Sequence, residues 1–137
     1  MEEKIYSVYV AGAISPHGKG NLFIESLNNV RRGIKWSIKV WKLGFIPYCP
    51  FFDFLFWLVS DEMLDCSEEM IKAYSIEHEK RCNVVFVIPN EEGYTRWEDS
   101  AGVAGELDTA NMNDIPVVFS IEELLTWKID HKELQND

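Results

Sequence analysis

A short segment, SAGVAGE at residues 100–106, carries residue types that can build an anion site beside a carboxylate. Ser100 is a candidate N-cap, and the first backbone N–H groups of a helix, helped by its dipole, bind anions. Gly102 has no side chain and lets a ligand approach the backbone closely. The segment therefore predicts an anion site, and an ordinary serine cap followed by an incidental glycine is the alternative.

Glu106 is the residue of this segment that could take part in covalent chemistry. It lies four residues after Gly102, on the same helix face and one turn further along. It also lies between Val103 and Ala110, two apolar positions of the stripe that should face the sheet. A carboxyl group on that side is costly unless it is paired, protonated or used in function. The alternative is a glutamate on the helix flank that reaches water.

A second segment, YVAGAIS at residues 9–15, follows the first apolar run of the chain. Tyr9 alternates with Val8 and Val10, so its hydroxyl could reach a site at the strand end, although a core tyrosine is the other interpretation. Aromatic side chains that could stack on a ligand, or belong to the core, are Phe51, Phe52, Trp57 and Trp97.

Apolar runs alternate with helical patterns along the chain. The runs at residues 5–11, 45–49, 83–88 and 117–119 predict four strands of the kind found in parallel sheets. Apolar positions at steps of three and four predict a helix between the first two strands; they are Ile24, Leu27, Val30, Ile34, Ile38 and Trp41. Gly44 should end this helix. Ser67, Ser100 and Ser120 should cap three more helices, the last of which should end near residue 128 and leave a frayed polar tail.

This order of elements predicts one α/β domain over residues 1–137. We expect a three-layer, flavodoxin-like or Rossmann-like fold with a parallel sheet of four to five strands flanked by helices. The apolar segment 51–66 should form a buried helix or an interface helix. In a flavodoxin-like sheet the ligand crevice lies between the first and third strands. The segments 9–15 and 97–102 follow those two strands, so they should line the same crevice.

Composition narrows the classes of function. Apolar residues make up 47% of the chain, 13 Lys and Arg oppose 23 Asp and Glu, and the formal net charge is -10. A surface this acidic disfavours binding to long nucleic acid, but it is compatible with binding of a small phosphorylated ligand. No apolar run is long enough to span a membrane, and the first residues lack the pattern of a signal peptide, so we expect a cytoplasmic protein.

The cysteines and histidines indicate neither a disulfide nor a metal site. Cys49, Cys66 and Cys82 are odd in number and share no C-x-x-C spacing. The three histidines (His17, His78 and His131) are scattered and complete no known ligand pattern with the cysteines. We therefore expect no metal and no cofactor.

Taken together, YVAGAIS, SAGVAGE and the following IPVVF resemble the nucleoside 2-deoxyribosyltransferase superfamily, in particular its branch of nucleoside 5′-monophosphate N-glycosidases. The order of elements agrees over most of the chain, whereas specific identity is confined to these motifs. The resemblance implies cleavage of an N-glycosidic bond, or transfer of a (deoxy)ribosyl group, on a nucleoside or nucleoside 5′-monophosphate. It also implies a homodimer or higher homo-oligomer.

The resemblance assigns a role to each matching residue. Glu106 matches the nucleophile that attacks the anomeric carbon, and Tyr9 matches the tyrosine that positions it. The implied substrate- or phosphate-binding positions are Gly12, Ala13, Ser15, Ser100 and Gly102. Members that act on free nucleosides carry an Asp where this chain has Ser100, so the serine favours a monophosphate.

A second acid usually helps the leaving base to depart. The family has an Asp in the helix before the third strand, but the corresponding stretch at residues 70–75 contains none. Asp53 or Asp99 could take its place. The alternative is a nucleotide-binding module of the same fold without catalysis, and a third hypothesis is a docking protein that uses segment 51–66.

Overall fold

A computed structural model describes residues 4–15, 22–58 and 67–136 of the chain. Its strands are β1 (Ser7–Ala11), β2 (Ile46–Tyr48), β3 (Val84–Val87) and β4 (Val117–Val118). Its α-helices are α1 (Leu22–Lys42), α2 (Glu68–Lys80), α3 (Ala101–Met112) and α4 (Ile121–Asn136). Two 3₁₀ segments, Pro50–Leu58 and Trp97–Asp99, follow β2 and precede α3.

The four strands form one all-parallel sheet in the order β2-β1-β3-β4. In the register of the central pair, Val8 lies beside Val84 and Val10 beside Phe86. Helices cover both faces, so the predicted three-layer flavodoxin-like fold is confirmed. The chain reverses direction across the sheet between β1 and β3, where a parallel sheet opens a crevice at its carboxyl end.

Alternation along the strands divides the core between the two faces of the sheet. On one face Val8, Val10 and Phe86 belong to a cluster that packs against residues of α1 and α4. On the other face Tyr9 and Val85 pack against residues of α3. We call these the α1/α4 face and the α2/α3 face. Adjacent residues of β1 thus face different helices, because strand side chains alternate.

The predicted helix ends follow local chemistry. Gly44 closes α1 with φ of 95°, a conformation that favours glycine. The Ser67 hydroxyl accepts a hydrogen bond from the Met70 N–H at 3.1 Å, and Ser120 accepts one from the Glu123 N–H at 3.1 Å. These caps satisfy N–H groups that have no partner inside the helix.

Helix α1 is confirmed, but its apolar positions do not all face the sheet. Val30 and Ile34 pack against the core, whereas Ile38 and Trp41 expose 43% and 66% of their surface. The buried side of α1 instead carries polar and small side chains, including Asn29, Arg32, Gly33 and Ser37. The periodicity therefore indicated a helix correctly without indicating which face it buries.

Helix α4 extends to residue 136, so the predicted end near residue 128 and the frayed tail after it were wrong. The Trp127 ring lies 5.2 Å from the ring of Tyr6, and the His131 ring lies 5.1 Å from it. Trp127 and His131 also stack on each other at 4.9 Å. These contacts with Tyr6, the residue before β1, supply tertiary support to a helical stretch whose sequence is mostly polar.

The segment predicted to be a buried or interface helix is a 3₁₀ helix over Pro50–Leu58, and residues 59–66 lie outside the described part. Phe51 is fully buried, whereas Phe52 and Leu55 are more than half exposed. The Phe51 ring lies directly on α1, since a Cβ on Gly33 would come within 2.3 Å of it. Gly33 thus allows the close approach of this segment to α1.

None of the helices described is long and apolar enough to cross a membrane. Cys49 and Cys82 are free thiols, and Cys66 lies outside the described ranges. Within residues 4–15, 22–58 and 67–136 no group of three or more His, Cys, Asp or Glu side chains could hold a metal ion.

Candidate functional site

A two-part cleft lies at the carboxyl end of the sheet, where β1 and β3 lead into their loops. Its outer chamber, of about 330 Å³, is lined by Gly12, Ser15, Asp53, Ser100, Gly102 and Glu106 among others. Its inner chamber, of about 340 Å³, is lined by Tyr9, Ser75, Glu79, Gly102, Gly105 and Glu106 among others. Because the chambers share several lining residues, we treat them as one cleft. The cleft brings most of the predicted site residues together.

The start of α3 forms one wall of the outer chamber. The Ser100 hydroxyl accepts a hydrogen bond from the Val103 N–H at 3.2 Å, so the serine is a helix cap, as one interpretation held. A Cβ on Gly102 would have only the Ser100 Oγ nearby, at 3.7 Å. The space above Gly102 is therefore open, and a ligand there would meet the N–H end of the helix.

Gly12 lines the opposite wall, and its lack of a side chain has a packing reason. A Cβ at this position would lie 2.8 Å from Cδ1 of Ile88 and 2.9 Å from Cζ of Phe51. Both distances are below ordinary van der Waals contact. Gly12 is thus required by the core beside the cleft as well as available to a ligand in the outer chamber.

Glu106 lies one turn into α3 and directs its carboxyl group into the cleft rather than into bulk water. Its Oε1 accepts a hydrogen bond from the Tyr9 hydroxyl at 3.2 Å. Its Oε2 is buried and has no hydrogen-bond partner among the described atoms. Burial, followed by the nearby carboxyl group of Glu79, raises the pKa of Glu106 well above its usual range. A positive centre beside this carboxyl group would favour its charged form.

Tyr9 is both a core residue and a site residue. Its side chain is fully buried, but its hydroxyl lies 2.6 Å from the Ser75 Oγ as well as 3.2 Å from Glu106. Burial and the neighbouring carboxyl groups raise the pKa of Tyr9, so the phenol keeps its proton. It donates that proton to Glu106, which leaves the Ser75 hydroxyl to donate to the phenol oxygen.

The two candidates for a second acid are placed differently. Asp53 is buried and lines the outer chamber, where the Tyr48 hydroxyl donates to its two carboxylate oxygens at 3.2 and 3.3 Å. Burial raises the pKa of Asp53, and this hydrogen bond opposes the rise. Asp99 is exposed in the turn Trp97–Asp99 and is not among the described residues of either chamber wall.

The remaining predicted residues are also divided between those that line the cleft and those that do not. Ser15 lines both chambers, whereas Ala13 is buried and outside the described lining of both. Of the aromatic residues considered for stacking, Phe51 is core and Trp97 packs against Phe119. The side chain of Trp57 lies outside the described part of the chain. The outer chamber is lined by Phe54 instead.

Among the lining residues that were not predicted are three from α2: Lys72, Ser75 and Glu79. Lys72 lies at the mouth of the cleft with its Nζ 3.3 Å from a carboxylate oxygen of Glu68, and both side chains are largely exposed. Ser75 and Glu79 follow on the same helix face. Their spacing of three and four residues is the signal that could have grouped them, once α2 was known to lie against α3.

Asn29 of α1 connects the two loops that carry the site. Its side-chain amide donates to the carbonyl oxygens of Ile14 and Ser15, at 3.2 and 3.3 Å, and to the Thr95 hydroxyl at 3.1 Å. Asn29 is almost fully buried. It therefore ties the loop after β1 to the loop that leads into α3.

No family model, no curated protein and no solved structure matches this chain. The cleft itself must then carry the functional argument. It combines an open helix start that can bind an anion with a buried carboxyl group held by a phenol. An exposed lysine lies at its mouth.

Proposed function

We propose that this cleft binds a nucleoside or a nucleoside 5′-monophosphate and that Glu106 acts as nucleophile on its N-glycosidic bond. The observation that carries the proposal is the position of the Glu106 carboxyl group. It is buried in the cleft, accepts the Tyr9 hydrogen bond and lies one helical turn from the open start of α3. The resemblance of the motifs to the nucleoside 2-deoxyribosyltransferase superfamily supports the same chemistry.

The spacing along α3 suits a monophosphate. Gly102 and Glu106 are separated by four residues, or about 6 Å along the helix axis. A phosphate at the helix start would therefore leave the sugar within reach of the carboxyl group. Lys72 lines the same chamber, and its ammonium group lies beside Glu68.

The reaction would proceed by displacement at the anomeric carbon. A carboxylate oxygen of Glu106 forms a bond to C1′ while the C1′–N bond breaks and its electron pair passes to the base. Positive charge develops on the sugar ring, and an adjacent carboxylate stabilises it. Water then releases the sugar phosphate, or an acceptor base takes the sugar. The attack requires the charged form of Glu106.

Asp53 is the better placed of the two predicted second acids. It lines the outer chamber and its raised pKa favours a retained proton, which a leaving base would need. The exposed position of Asp99 offers no comparable environment. We therefore propose Asp53 as the proton donor and leave Asp99 out of the mechanism.

A panel of nucleosides and nucleoside 5′-monophosphates, analysed by chromatography for free base, tests the proposal. We expect base release from at least one monophosphate and a loss of at least about 10³-fold in Glu106→Gln. Asp108→Asn removes an exposed carboxyl group from the same helix and should leave the rate unchanged. Absence of base release from the whole panel would rule out the enzyme.

One observation favours a second candidate, a nucleotide-binding module without turnover. The raised pKa of Glu106 favours its neutral form, which is suitable for binding but not for attack. This module would show a higher melting temperature with a monophosphate and no base release. A panel with neither base release nor any thermal shift would exclude both candidates.

Self-association and a cytoplasmic location stay predictions. Phe52 and Leu55 expose 53% and 52% of their surface on neighbouring turns of the 3₁₀ segment Pro50–Leu58. A second copy of the chain covering them would remove apolar area from water. This surface supports the expected homo-oligomer.

A further inference from the structure

Glu79 is a buried acid that the proposed reaction does not use. It is the penultimate residue of α2 and exposes none of its surface. Neither carboxyl oxygen has a hydrogen-bond partner in the described part of the chain. Burying a carboxyl group without hydrogen bonds costs free energy that a leucine or methionine of similar size would avoid, so a glutamate here calls for an explanation.

The surroundings of Glu79 connect it to the candidate nucleophile. It lines the inner chamber together with Tyr9 and Glu106. Its charge, if present, would raise the pKa of Glu106, of Tyr9 and of the Cys82 thiol, so all three groups face it. The three come from different elements: α3, β1 and the turn after α2.

Three other charged groups line the cleft. Glu68 and Lys72 pair with each other at the mouth, and Asp53 interacts with Glu106 from the 3₁₀ segment. Of the charged side chains described in the two chamber walls, Lys72 is the cation, and its ammonium is already beside Glu68. The carboxyl groups of Glu79 and Glu106 therefore share the inner chamber, and the cation of its described wall is already paired with Glu68.

Two such groups cannot both be ionised at low cost. Burial raises the pKa of Glu79 to about 7, and the pKa of Glu106 is raised further by its neighbour. The hydrogen bonds differ between the two groups. Tyr9 donates to Glu106 and favours its charged form, whereas Glu79 receives no hydrogen bond from the described atoms.

We propose that Glu79 and Glu106 form a carboxyl pair holding a single proton when the site works, with Glu79 as its carrier. Glu79 is then a positioning residue that acts through Glu106, because its neutral form allows the other carboxyl group to ionise. The ligand suited to this pair is one that develops positive charge beside Glu106. The catalytic role of this pair rests on the proposed function. The presence of a proton on Glu79 does not, and it can be tested without a substrate.

Unfolding measured by urea between pH 4 and pH 8 tests the pair without any substrate. The folded-state pKa of Glu79, about 7, lies above its ordinary value of 4.5. Its contribution to stability is therefore complete below pH 4.5 and is lost as the pH rises towards 7. Between pH 4.5 and about pH 7, we expect the folding equilibrium constant of Glu79→Gln to rise more than tenfold relative to that of the natural chain. Glu79→Met should show the same gain, and it guards against an effect peculiar to the amide.

Glu77→Gln is the matched control, because Glu77 is exposed on the same helix and pairs with Lys80 and Arg81. These partners lower the pKa of Glu77, so removing it should change stability in the opposite direction with pH. A gain in Glu79→Gln that does not vary with pH would overturn the proposal. So would a pH dependence that survives in Glu79→Gln and disappears in Glu106→Gln, since the proton would then lie on Glu106.

If the chain releases base, the pH profile of kcat/KM gives a second readout. We expect Glu79→Gln to leave the acid limb of Glu106 in place, because glutamine is uncharged like the protonated Glu79. The variant should instead lose the change in kcat/KM at which Glu79 gives up its proton, at a pH of about 7. A change at about pH 7 that persists in Glu79→Gln would overturn the role in catalysis. A chain that releases no base would refute the enzyme, while the unfolding experiment would still decide where the proton lies.

Discussion

The α1/α4 face and the α2/α3 face of the sheet both contain buried polar groups. Among the described residues, only the α2/α3 face has buried side-chain oxygens without a hydrogen-bond partner. On the α1/α4 face the Asn29 amide donates to three oxygens, and the Ser37 hydroxyl donates to the Gly33 carbonyl at 2.8 Å. On the α2/α3 face both oxygens of Glu79 and one of Glu106 have no partner among the residues described.

This difference separates two uses of buried polarity. A buried polar group whose hydrogen bonds are satisfied contributes to structure and holds loops in place. An unsatisfied buried carboxyl group destabilises the fold and persists where something else depends on it. The α1/α4 face should therefore respond to mutation mainly in stability, and the α2/α3 face mainly in ligand binding and turnover.

The largest expected effect is on the α1/α4 face. Phe86 is fully buried there, beside the tilted ring of Trp36 at 5.8 Å. Phe86→Ala should lower the free energy of unfolding by about 3–5 kcal/mol, because it removes apolar contacts and leaves a cavity. Urea denaturation measures the loss, and Phe52→Ala, at a largely exposed position, should cost less than about 1 kcal/mol. Similar losses in the two variants would remove the contrast between core and surface.

A smaller effect is expected from Tyr9→Phe on the opposite face. The ring stays in place, so the free energy of unfolding should fall by only about 1 kcal/mol. Without the hydroxyl, Glu106 loses its one hydrogen-bond donor among the described groups, and kcat should fall by about 10²-fold. Tyr94→Phe, outside the cleft, serves as the control for both assays. A loss of stability comparable to that of Phe86→Ala, with unchanged turnover, would contradict the division between the faces.

The smallest expected change in stability is at Gly102. An alanine there meets only ordinary contact with Ser100, so it should stabilise α3 by up to about 1 kcal/mol. The added methyl group would occupy the space above the helix start and should weaken monophosphate binding about tenfold. Calorimetric titration measures the affinity, with Ala104→Ser as a control on the exposed side of the helix. Unchanged affinity would show that the anion does not bind at this helix start.

Much of the fold could be predicted because its signals are local. The apolar runs predicted four strands, and serine caps marked the starts of α2, α3 and α4. Periodicity does not report side-chain packing, so the predicted end of α4 was wrong and the buried side of α1 was not predicted. The exposed Ile38 and Trp41 belong to the apolar stripe of α1, and Trp127 and His131 extend α4 against Tyr6.

The site was predicted unevenly for the same reason. Tyr9, Gly12, Ser100, Gly102 and Glu106 lie in short motifs after β1 and β3, and parallel strands bring those ends together. The α2 residues Lys72, Ser75 and Glu79 carry no motif. They join the site only because α2 lies against α3.

By itself, the sequence determined the parallel sheet, the capped start of α3 and a carboxyl group one turn beyond it, because caps and periodicity act over a few residues. Only the tertiary structure decided that Glu106 meets Tyr9 and that Glu79 lies buried behind them without a hydrogen bond. Those contacts join residues 27 to 97 positions apart, and their energies depend on packing and desolvation that arise only when the layers assemble.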